Sequence, residues 1–123
     1  MGKFSRDKGK RGEAELVRFL RAAGWQNVRR TAQYCGKTGE AADLVGLPGI
    51  HIECKRVEHL NIDDALAQAK RDAAGSDRLP AVFHRKNNTR WKVTMDAEDW
   101  LKIYQEYGID ELDWENTDSD KSE

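Results

Sequence analysis

Two carboxylates and one amine have the types and spacing in this chain that suit chemistry best. Ile50-His51-Ile52-Glu53-Cys54-Lys55 alternates apolar and polar residues, the period of a β-strand with two unlike faces. Ile50, Ile52 and Cys54 fall on one face and suit a core. His51, Glu53 and Lys55 fall on the other, so a carboxylate and an ammonium stand two residues apart on one surface. Asp43 lies on the preceding segment, Ala42-Asp43-Leu44-Val45, which ends in a Leu47-Pro48-Gly49 turn. Pairing of the two segments as a hairpin brings Asp43 and Glu53 together beside Lys55. Two carboxylates at one point repel unless a cation joins them, and clustered hard oxygens suit magnesium, with manganese as a substitute. A lone Glu-x-Lys on a strand is most often a solvated ion pair, so the surrounding elements must decide.

A third acid points to the same place. The spacing predicts a helix from about Asp7 to Ala23, stopped by Gly24, with Leu16, Val17, Leu20 and Ala23 as its buried stripe. Glu13 falls between Leu16 and Val17 on the helical wheel, in the middle of that stripe, whereas Glu15 points away. A carboxylate on a core face is costly unless it is paired or binds a metal.

The remaining elements follow in order. Residues 1–6 read as a basic flexible arm. Gly24 to Asn27 turns into a strand over Val28–Tyr34, and Cys35 to Glu40 reads as a loop carrying Lys37. Strands near Ala42–Gly46 and Ile50–Lys55 come next. Asn61 then caps a helix over Ile62–Ala74, with Ile62, Ala65, Leu66, Ala69 and Ala73 as its apolar stripe and Gln68 flanking it. Ala81–Arg85 and Arg90–Met95 form a hairpin around Asn87-Asn88. A last helix from Asp96 to Tyr107 turns Trp100, Ile103 and Tyr104 inward and stops at Gly108. The expected fold is α/β, a single domain with a central mixed sheet flanked by helices in the order α-β-β-β-α-β-β-α. Residues 1–108 form that domain, and residues 109–123 form an acidic, disordered tail.

Length and composition bound the classes open to such a chain. Its 123 residues, 38% hydrophobic and 35% charged, suit one core. No apolar run is long enough to span a bilayer, and an intracellular, cytoplasmic protein is expected. Two cysteines, Cys35 and Cys54, make neither a disulfide framework nor a zinc pattern with the three histidines. The net charge of −1 hides an asymmetry. Residues 110–123 hold seven acids against Lys121, while residues 1–109 carry 20 basic against 15 acidic side chains. Such a basic body is compatible with a polyanionic partner.

The set Lys8-Gly9 and Gly12-Glu13-Ala14-Glu15-Leu16-Val17, with Asp43-Leu44-Val45 and Ile52-Glu53-Cys54-Lys55, resembles the PD-(D/E)xK nuclease superfamily. It is most similar to the archaeal-type Holliday junction resolvases and the related small phage endonucleases, over about residues 8–95. Ala42 stands where a proline usually precedes the aspartate, and Ala14 where the resolvases carry arginine. The resemblance implies a restriction-endonuclease-like core and a magnesium-dependent endodeoxyribonuclease. It assigns catalysis to Glu13, Asp43, Glu53 and Lys55, and metal binding to Asp43, Glu53, Glu13 and the Cys54 carbonyl. Lys8, Lys10, Arg11, Arg29, Arg30 and Lys37 would contact DNA phosphates, and Gln68 would support the site. A resolvase acting on branched DNA would be a homodimer, for which Trp91, Val93 and Trp100 are surface candidates. The alternative is a nucleic-acid-binding module of the same fold that does no chemistry. His51, His59 and His84 receive no catalytic role.

Overall fold

A computed structural model describes residues 2–31 and 42–109. The elements are α1 (Gly2–Ala22), β1 (Arg29–Arg30), β2 (Leu44–Val45), β3 (Ile50–Arg56), α2 (Ile62–Ala73), β4 (Leu79–Arg85), β5 (Lys92–Thr94) and α3 (Ala97–Ile109). The five strands form one sheet in sequential order, β1-β2-β3-β4-β5. All neighbours are antiparallel except β3 and β4, which run parallel because α2 carries the chain back between them. The mixed α/β architecture is the expected one.

The two faces of the sheet are covered by different helices. Leu16, Val17 and Leu20 of α1 pack with Val28, Leu44, Ile52, Ala81 and Phe83 on one face. Ala65 and Ala69 of α2 pack with Val82 on the other, with Leu60, Ile62 and Leu66 around them. Register explains the division. Ile52 pairs with Ala81 and Cys54 with Phe83, all toward α1, while Glu53 pairs with Val82 beneath α2. The polar face of β3 is therefore not solvated: His51 and Glu53 are both only 4% exposed.

Helix boundaries follow local chemistry with some differences. Gly24 ends α1 at φ 111°, a conformation that favours glycine. The helix begins at Gly2, not near Asp7, because Lys3, Phe4 and Arg6 are ordinary helix formers that extend its ladder. Asn61 caps α2 as expected, its side chain accepting the Asp64 N–H at 3.1 Å. Asn88, at φ 63°, turns β4 into β5. Gly108 does not stop α3, which runs to Ile109; a glycine inside a helix lowers its stability without ending it.

The largest departure concerns α3. Its apolar side was expected to enter the core, yet Trp100, Leu101, Ile103, Tyr104 and Tyr107 are between 41% and 63% exposed. The helix packs on itself instead: Trp100 stacks on Tyr104 with ring centroids 5.1 Å apart. The two sheet faces are already filled by α1 and α2, which leaves no face for a third helix. No helix among the described residues is long and apolar enough to cross a membrane.

Candidate active site

The site forms at the β2–β3 hairpin, in a cleft lined by α1 on one side and α2 on the other. The β2–β3 hairpin pairs Leu44 with Ile52, and the Asp43 amide donates to the Ile52 carbonyl at 2.8 Å. One step further on, the ladder changes character. The Cys54 amide donates to Asp43 Oδ2 at 2.8 Å, so a side chain takes the place of a backbone acceptor. That bond locks the Asp43 carboxylate against β3. Burial and the adjacent Glu53 carboxylate raise its pKa to about 7, against the opposing pull of the Cys54 N–H and of Lys55. Two acids held this closely fit the donor set of a hard divalent cation, which would remove their repulsion.

Helix α1 brings the third acid. Gly12 permits the approach: a Cβ at this position would stand 2.6 Å from Cβ of Arg56 on β3. Glu13, the next residue, is half-buried and points at the hairpin. Burial raises its pKa, Asp43 adds to the effect, and a hydrogen bond from Arg30 opposes it. Arg30 Nε donates to Glu13 Oε1 at 2.9 Å. Glu13, Asp43, Glu53, Cys54, Lys55 and Gln68 all line one open cleft of about 490 Å³. Gln68 reaches it from α2, one residue before the buried Ala69.

The basic residues separate into two groups. Lys10, Arg11 and Arg29 are exposed; Arg29 makes a 3.2 Å hydrogen bond to the Asn27 carbonyl. Arg30 is instead turned inward onto Glu13. Lys37 and the Lys8 side chain lie outside the described residues, as do Cys35 and the acidic segment 110–123. Burial, with Asp43 and Glu13 nearby, pushes the Cys54 thiol pKa up, so it stays protonated and is no nucleophile.

Three features escaped the sequence. Glu15 does not point into solvent: it bonds Arg56 Nε at 2.9 Å and also pairs with Arg85, so α1 is clamped to the sheet. Arg56 and Arg85 are register partners on adjacent strands, which is why one carboxylate serves both. The Arg30–Glu13 pair is the second feature. The third is a cluster of His51, Glu53 and Asp72, whose potential ligand atoms lie within 4.8 Å of one another. Only the i, i+2 placement of His51 and Glu53 hinted at it.

A five-stranded mixed sheet of this order, flanked by α1 and α2, is consistent with a restriction-endonuclease-like core. The family model described as "Phage putative PDDEXK endonuclease" matches residues 4–123. The chain belongs to that phage PDDEXK endonuclease family. No curated protein and no solved structure matches it.

Proposed function

We propose that the chain is a metal-dependent DNA endonuclease that hydrolyses phosphodiester bonds in the Glu13–Asp43–Glu53–Lys55 cleft. One observation carries this reading: three separate elements deliver these residues to a single cleft, in a chain of an endonuclease family. Asp43, Glu53 and the Cys54 carbonyl would hold a magnesium ion, which supplies Lewis acidity toward the scissile phosphate and acidifies a water. Lys55 orients the attacking water and stabilises negative charge gathering on the phosphoryl oxygens. Water oxygen bonds to phosphorus as the P–O3′ bond breaks, which leaves a 5′-phosphate and a 3′-hydroxyl. Glu13 completes the acidic wall of the cleft, and Arg30 keeps its carboxylate aimed inward. Gln68 hydrogen-bonds the water or phosphate from the α2 side. Lys8, Lys10, Arg11, Arg29 and Lys37 contact backbone phosphates, giving affinity that falls steeply with salt and reads no bases.

The narrower reading is a resolvase that cuts four-way junctions as a two-fold dimer. The exposed aromatic side of α3 is what supports a dimer, because Trp100 and Tyr104 form an uncovered apolar strip on which a second copy would dock. Val93 is exposed as well, whereas Trp91 packs against the core beside Phe19.

The test is cleavage of a fluorescent four-way junction and its matching linear duplex, with magnesium, with EDTA, and with Lys55→Ala and Glu53→Ala proteins. Cutting that needs magnesium and both side chains, with DNA binding retained in Lys55→Ala, supports the nuclease. Paired symmetric nicks in the junction alone support the resolvase. Cutting that survives EDTA or Lys55→Ala would overturn the mechanism, and binding without cutting would favour a silent DNA-binding module.

A further inference from the structure

His51 is a buried polar residue that the nuclease cleft does not use. It lies on β3 at 4% exposure, and its Nε2 is buried without a hydrogen-bond partner among the described residues. An orphaned imidazole nitrogen in a sheet interior is costly, and such a group in a native fold is met by an ordered water or an ion. Its nearest charged neighbour is Glu53 Oε2 at 3.6 Å, too far for a hydrogen bond. Asp72, half-buried on α2, faces both across the helix–sheet interface, and the three potential ligand atoms lie within 4.8 Å of one another.

That spacing is close to what a shared ion requires. Two ligands with bonds of about 2.1 Å to one metal stand about 3 to 3.5 Å apart in tetrahedral or octahedral geometry. The His51–Glu53 pair, at 3.6 Å, stands just outside this separation, and Asp72, within 4.8 Å of both, would need a modest side-chain shift to join them. We propose that His51, Glu53 and Asp72 form a second divalent-cation site that prefers zinc or another late first-row transition metal.

The preference follows from the donors. One imidazole nitrogen and two carboxylates suit zinc and its neighbours, whereas magnesium takes all-oxygen shells. Glu53 belongs to both sites: one of its oxygens faces His51, and its carboxylate also adjoins Asp43. Filling the inner site therefore fixes the Glu53 rotamer and sets how it is presented to the cleft. The second site shares a residue with the proposed nuclease centre but does not depend on cleavage being its function.

The experiment is metal titration of the EDTA-stripped full chain, read by calorimetry and by the NMR signals of the His51 ring. Zinc is expected to bind one inner site and shift the His51 ring resonances. His51→Gln and Asp72→Asn should each weaken zinc by at least tenfold, and Asp72→Asn should leave magnesium affinity within about twofold. Asp43→Asn should do the converse, losing magnesium and keeping zinc. Zinc affinity unchanged in both His51→Gln and Asp72→Asn would overturn the proposal, as would unmoved His51 signals in the parent chain, which need no variant to fold. Zinc binding at His51 with no DNA cleavage under any metal would retire the nuclease reading and leave the second site standing.

Discussion

Replacing Asp43 by asparagine is expected to stabilise the metal-free protein while abolishing cleavage. Asp43 is held beside Glu53, and its pKa stands at about 7 in the fold against an ordinary value of 3.8. Below pH 3.8 both folded and unfolded chains carry the proton, so the group costs nothing. As pH rises toward 7 the unfolded chain releases the proton and the folded one holds it, so stability falls. Each pKa unit corresponds to about 1.4 kcal/mol, which sets an upper bound of about 4 kcal/mol at pH 8. Asparagine keeps an oxygen to accept the Cys54 N–H and cannot ionise, so the repulsion disappears. A gain of about 2 kcal/mol is expected at pH 8 in EDTA, or roughly 10 °C in melting temperature. The gain should shrink steadily between pH 7 and pH 4. Magnesium should then stabilise the parent and not the variant, because binding to the folded state adds stability by mass action. Calorimetric melts of both proteins at pH 4.5 and pH 8 measure all of this. A variant less stable than the parent at pH 8, or a gain equal at both pH values, would refute the reasoning.

Further outcomes follow from the same geometry. Gly12→Ala would normally favour a helix, but here its Cβ would meet Arg56, so a loss of about 1–2 kcal/mol and weakened cleavage are expected; denaturant melts showing any stabilisation would contradict the close approach. A double-mutant cycle of Glu13→Gln and Arg30→Ala should yield a coupling of about 1–2 kcal/mol for this half-buried pair, and additive effects would mean that the contact carries no energy. In the resolvase reading, where α3 joins two copies, Trp100→Ser should shift sedimentation from dimer to monomer and make the melting temperature independent of protein concentration, while the fold of each copy persists because the ring is 50% exposed. A monomer in both proteins would remove α3 as the dimer surface.

Much of this fold, and the residues of the candidate site, can be read from local patterns. Strict alternation over residues 50–55 placed β3, and Gly24 and Asn61 marked helix ends that the structure keeps. Glu13 announced itself because a carboxylate in an apolar stripe has no local explanation. Those signals are local: they depend on the period of one element or the chemistry of one turn. What the tertiary structure alone decided depends on which surfaces meet. An apolar stripe on a helix looks the same whether or not a sheet face remains to cover it, so α3 was expected inside and lies outside. Glu15 sits on the wheel where solvent was expected, but strand register stacks Arg56 beside Arg85 within its reach. Asp72 and His51 stand 21 residues apart, and only the crossover of α2 over β3 brings them face to face. Periodicity specifies the faces of each element; packing, through long-range contacts that no short stretch encodes, decides which faces find partners.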